Sequence, residues 1–224
     1  MDWVPPQKPD VLIRPVTTAV MPVDFCGIAF YFLTLEQGER ASFASYYDLP
    51  EPHVLRTQMA VTGAAQFRGQ ECLEVERHTY DLAGNLTARS LFYVAVGRDE
   101  IRWLLRIRRN PQEPVRIEEP TATFPRRLEP GKRWAHRCVR SVVDVVINDR
   151  SWRCLEIESL TPLDPHMNLL YIATDGRQVY NRRYLRTDAP KPFPIPVEGA
   201  ISHQGMRYVL YYEDFADFAL RPPT

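Results

Sequence analysis

The segment Cys72-Leu73-Glu74-Val75-Glu76 recurs as Cys154-Leu155-Glu156-Ile157-Glu158, and the residues downstream of each copy repeat in the same order. Leu91-Phe92-Tyr93-Val94-Ala95 answers to Leu169-Leu170-Tyr171-Ile172-Ala173. Gly97-Arg98 with Ile101 answers to Gly176-Arg177 with Val179. Internal repetition constrains a fold more than composition does, because it means one supersecondary unit built twice. The spacing slips only where turns are expected, so the unit is a run of strands joined by turns.

Each copy reads as a four-strand meander, over about residues 57–108 and 135–186. Arg68-Gly69-Gln70, Asp81 to Asn85, and Gly97-Arg98-Asp99 turn the first. Asn148-Asp149 and Asp175-Gly176 turn the second, and Asp-Gly between apolar runs is a strong hairpin signal. Connections this short leave no room for crossover helices, so the sheet is antiparallel. Ile28, Phe30 and Phe32 alternate with Ala29, Tyr31 and Leu33 ahead of the repeats, and Arg207 to Glu213 forms a last strand. The expectation is an all-β single domain over 1–224, with about ten strands in a strongly curved antiparallel sheet, open or closed into a barrel. A short helix is expected within Asp214 to Leu220. Twenty prolines against ten glycines belong in connections, since proline cannot donate to a ladder. They mark a linker at 109–134 and the stiff segment Pro190 to Pro196, whose Phe193 is expected to fold inward as a lid.

Phe124-Pro125-Arg126-Arg127-Leu128-Glu129-Pro130-Gly131-Lys132-Arg133-Trp134 leads into the second copy. With the strand pattern from Thr57 to Arg186, it resembles the proline–leucine–glycine–tryptophan approach to a strand in bacterial β-clam proteins. These include periplasmic lipoprotein carriers and VioE-like pigment-biosynthesis enzymes. The resemblance implies a curved, unclosed sheet around an apolar ligand cavity. It also implies, as an alternative, a cofactor-independent cyclase, isomerase or lyase of specialised metabolism. No motif transfers catalytic residues from that family to this chain.

The formal net charge is zero, which argues against bulk attraction to nucleic acid or anionic membranes. No apolar run approaches the length of about eighteen residues that a membrane span needs. The N-terminus lacks a signal-peptide pattern, so a cytoplasmic location is expected, or a periplasmic one if a leader has been removed. Cys26, Cys72, Cys138 and Cys154 lack Cys-x-x-Cys spacing and are expected to be free thiols. His136 and Cys138 alone do not make a zinc set, so no metal and no cofactor are expected.

Glu74, Glu76, His78 and Tyr80 share one face of a strand, because alternate residues do. Glu74, Glu76 and His78 are the candidate acid–base residues. The competing expectation is a solvated face in which glutamates pair with Arg102, Arg106, Arg108, Arg182 or Arg186 across strands. Leu73, Val75, Leu155 and Ile157 define the core face. His53, His166 and His203 sit in loop-like contexts, where a general base is one reading and a solvated histidine the other. Aromatic residues make up 11% of the chain. Phe30, Phe32, Trp103, Tyr180, Phe193 and Tyr211 are the candidate ligand-binding residues, on the reading that a curved sheet this large holds an apolar or aromatic small molecule. A ligand-free scaffold is the third reading.

Overall fold

Two-residue turns with left-handed backbone lay down the sheet. Arg68 and Gly69 take φ of 51° and 78°, and Asn148 and Asp149 take 49° and 61°. Turns with positive φ at both central residues match the twist of adjoining antiparallel strands, which is why each joins a long hairpin. The structure is a computed structural model that describes residues 4, 6–16, 23–24, 37–49, 53–110, 114–119, 123–161, 164–190 and 198–221.

Among these residues the elements are β1 (Val11–Pro15), β2 (Val23–Asp24), β3 (Arg40–Tyr47), β4 (His53–Phe67), β5 (Gln70–Tyr80) and β6 (Leu86–Val96). Then come β7 (Glu100–Arg109), β8 (Arg116–Glu118), β9 (Thr123–Pro125), β10 (Arg127–Leu128) and β11 (Arg133–Trp134). The chain ends with β12 (Arg137–Ile147), β13 (Arg150–Leu160), β14 (His166–Ala173), β15 (Gln178–Arg186), β16 (Ile201–His203), β17 (Met206–Ala216) and the helix α1 (Asp217–Leu220). One antiparallel sheet of fifteen strands runs β1-β12-β13-β14-β15-β17-β3-β4-β5-β6-β7-β8, with β9, β11 and β16 attached at its sides. That is more strands than the ten or so expected. The surplus is in segments of two or three residues, too short to show a periodicity. The sheet is also not closed: β1 and β8 end the path, and no described strand pairs them.

Strands bend where a β-bulge inserts a residue. Thr62 is the extra residue between Val61↔Val75 and Gly63↔Glu74, and Arg140 is the extra residue between Val139↔Ile157 and Ser141↔Glu156. Leu104 bulges opposite Tyr93/Val94, and Val179 opposite Tyr171/Ile172. The runs β4 to β7 and β12 to β15 therefore both bulge in their first and last hairpins, and β5–β6 adds a bulge at Thr87 that β13–β14 lacks. Their combined bend brings the ends of the path together, and the Arg137 guanidinium of β12 sits 4.6 Å from the ring of Phe124 in β9, beside β7.

Val75, Leu155 and Ile157 are fully buried on the inner face, as the alternation requires. The central strands are buried on both faces, and only His166 of β14 is not buried. The outer face there is covered by the N-terminal segment: the Tyr46 hydroxyl donates to the Pro6 carbonyl at 2.8 Å, and Lys8 pairs with Glu213. α1 packs Phe218 against Trp152 across the β12–β13 turn.

Candidate functional site

The inward bend shapes a half-open cavity of about 320 Å³ whose wall draws on strands from both ends of the path. β7 supplies Trp103 and Arg106, β12 supplies Arg137, and the strands between complete it. Cross-strand register places its polar groups in rows, since residues opposite one another share a face. One row runs Asn168↔Arg183↔Tyr212↔Tyr47 across β14, β15, β17 and β3. The next runs Asn181↔Asp214↔Ser45.

Asp214 is the carboxylate at the centre of the second row. It accepts from Ser45 Oγ at 2.5 Å and from Asn181 Nδ2 at 2.9 Å. Burial pushes its pKa up, against the pull of those two donors, Arg77 and Arg183. The two rows leave Asn181 Oδ1 and Arg183 Nε buried without a hydrogen-bond partner among the described residues. One is an acceptor and the other a donor, two positions apart on the same face of β15.

Arg77, Arg106, Arg137 and Arg183 all line the cavity, with Asp164 and Asp214 as the lining carboxylates. Glu118 takes up part of the Arg106 charge at 3.4 Å. Burial lowers Arg137 to about 10. Arg183 donates to the Tyr212 hydroxyl at 3.3 Å. Burial lowers Arg183 as well, but Tyr212, Asp164 and Asp214 outweigh it and leave the group raised. Burial raises Tyr212 to about 12, so its hydroxyl keeps its proton and remains a donor.

At the rim, Asp164 Oδ1 receives both the backbone N–H of His166 at 2.9 Å and its ring Nδ1 at 2.6 Å. This contact places the neutral ring's proton on Nδ1 and leaves Nε2 as the acceptor. Burial and the Arg183 charge hold His166 below its ordinary 6.5, against the upward pull of Asp164. Tyr211 is the extra residue of a bulge between Arg183↔Tyr212 and Tyr184↔Leu210. Its ring lies 5.9 Å from that of His166 and 5.6 Å from that of Tyr47. The assembly offers positive charge, a donor–acceptor pair, aromatic walls and an oriented imidazole.

Of the residues singled out from the sequence, Trp103 lines this cavity and Tyr211 borders it. Tyr180 lies on the opposite face, wholly buried, with its hydroxyl on Glu213. Phe30, Phe32 and the Phe193 lid lie outside the described residues. Glu74, Glu76 and His78 also face away from the cavity. Glu74 accepts from Thr62 at 3.0 Å, and Glu76 pairs with Arg89 at 2.7 Å and with His78 at 3.8 Å. Glu76 and His78 border an outer cleft of about 660 Å³ next to α1. The expected partners Arg102 and Arg106 bond instead to Glu100 and Glu118.

Arg77, Arg137, Asp164, Asn181 and Asp214 were not singled out. The signal of the four that lie on strands is a polar residue on the apolar phase, as in Leu73, Val75, Arg77, Thr79, whereas Asp164 lies in a connection. Comparison with known proteins finds no matching family model, curated protein or solved structure. Among the described residues no helix is long and apolar enough to cross a membrane, and no cluster of three or more His, Cys, Asp or Glu could hold a metal ion.

Proposed function

We propose that the protein binds a small organic acid with an aromatic or planar body inside the curved sheet, which we read as a β-clam built from two copies of one meander. The observation that carries this reading is the meeting of Arg77, Arg106, Arg137 and Arg183, from four strands, with Phe43, Tyr47, Trp103 and Tyr212 around one cavity. Guanidinium groups that converge on one cavity match the charge and planar geometry of a ligand carboxylate. About 320 Å³ is at the small end of ligand pockets, which selects a compact molecule. The aromatic ligand expected from the sequence is thereby given an acidic group. The free thiols Cys72, Cys138 and Cys154 suit the expected cytoplasmic setting.

Titration calorimetry with phenylpyruvate, phenylacetate and their neutral isosteres tests it. The acids are expected to bind and the isosteres to bind at least tenfold more weakly, with Arg183→Met abolishing the difference. Equal binding of neutral and acidic ligands would sink the proposal. A second reading, acid–base catalysis by Glu74, Glu76 and His78, has in its favour the outer cleft beside Glu76 and His78. Their mutual pairing and the pairing with Arg89 favour a structural role.

A further inference from the structure

The His166–Asp164 pair is more than a binding group. An imidazole held by a carboxylate at Nδ1, with Nε2 left as acceptor beside a polar cavity, is the arrangement of an oriented general base. His166 stands on the cavity wall next to the row that carries Arg183 and Tyr212. Arg183 Nε, buried and without a hydrogen-bond partner among the described residues, and the Tyr212 hydroxyl are donors for an oxygen that gains negative charge.

We propose that His166, oriented by Asp164, shifts a proton on the bound acid, so that the protein interconverts the keto and enol forms of an aromatic 2-oxo acid. The proposal rests on the reading of the cavity as an organic-acid site. His166 Nε2 takes a proton from the carbon next to the carbonyl. The C–H electron pair becomes the C=C bond, and the π pair of the carbonyl moves onto its oxygen. Arg183 and Tyr212 donate hydrogen bonds to that oxyanion, and His166 then hands it the same proton. One proton leaves carbon and one reaches oxygen. No electron leaves the substrate, so no oxidant, reductant or cofactor enters the balance.

The groups that face His166 fit the task. Arg183 on β15 keeps the ring neutral and ready to accept, Asp164 on its own turn fixes the tautomer, and Tyr211 on β17 walls it on one side. Asp164 is a positioning residue, because it acts through the imidazole. Asn181 Oδ1, unpartnered among the described residues, is an acceptor for the enol hydroxyl.

The test uses the full chain with phenylpyruvate as probe. Loss of its methylene proton signal in D₂O, monitored by NMR, reads the proton shift, and calorimetry reads binding separately. The wild type is expected to exchange the methylene protons catalytically and faster than an equal concentration of free imidazole. His166→Gln is expected to cut the rate about 100-fold or more, the usual worth of a general base, with affinity changed less than about threefold. Asp164→Asn is expected to lower the rate less and to move the pH–rate midpoint downward, because the upward pull of Asp164 on His166 is lost. Binding without catalysed exchange, or unchanged exchange in a folded His166→Gln variant, overturns the base and leaves the acid site standing. Absence of phenylpyruvate binding overturns both. Should His166→Gln fail to fold, the Asp164→Asn midpoint decides, and an unmoved midpoint refutes the pair.

Discussion

Asn181 donates its side-chain amide to the carboxylate of Asp214 at 2.9 Å, directly across β15 and β17 in the cavity wall. Asp214 is raised chiefly by burial. Below its ordinary 3.8 both folded and unfolded chains hold the proton. As pH rises past that value the unfolded chain ionises first, so stability falls until Asp214 also ionises in the folded chain. Asp214→Asn removes this loss. Its unfolding free energy is expected to gain on the wild type as pH rises above 3.8, by about 1.4 kcal/mol for each unit by which burial raises the group. A difference that stays flat with pH would contradict the assignment.

His166 carries the opposite sign. Its folded value lies below 6.5, so acidification through 6.5 protonates the unfolded chain first and destabilises the fold. Its contribution is complete above 6.5 and is lost as pH falls toward the folded value. NMR titration of the ring should place His166 below an exposed histidine. Arg183→Met should raise the midpoint, since Arg183 depresses it, and Asp164→Asn should lower it. A shift of both variants in one direction would refute the electrostatic picture.

Tyr180 separates packing from binding. Its hydroxyl serves Glu213 on the covered face, where Arg182 also reaches Glu213 at 3.3 Å. Tyr180→Phe is expected to cost about 1.5–3 kcal/mol, the size of a hydrogen bond to a charged group. Denaturant melts measure that cost. Phenylpyruvate affinity should not change, and a large loss of affinity would place Tyr180 at the ligand after all.

Trp103 is the cavity's optical reporter. Its ring lies 5.4 Å from that of Phe92 and 5.8 Å from that of Phe124. Ligand binding is expected to quench its fluorescence, and Trp103→Leu to weaken an aromatic acid about tenfold, within the 0.5–1.5 kcal/mol of an aromatic contact. Binding that leaves the emission of Trp103 unchanged would move the ligand elsewhere.

Alternation along each strand decides which face a residue takes, and it is a local property that Leu73, Val75, Leu155 and Ile157 display in the chain itself. Turn chemistry is local too: Asp175-Gly176 and Asn148-Asp149 mark chain reversals because few residues accept positive φ cheaply. The antiparallel sheet and the apolar core face were therefore legible, but not which face lines the cavity. The short β8 to β11 and β16 were not, because two or three residues carry no period. Arg77, Asn181, Arg183 and Asp214 are legible only as polar residues on an apolar phase, which says that they point inward but not what they meet. Their meeting depends on register and bend. The bulge at Tyr211 turns that ring toward His166, and the added curvature of both meanders carries Arg137 over to Phe124 from the far end of the sheet. Sequence alone determined an antiparallel sheet and the apolar core face of its strands. Only the tertiary structure decided that Arg77, Asn181, Arg183 and Asp214 share one cavity, because strand curvature accumulates over the whole sheet and no local window contains it.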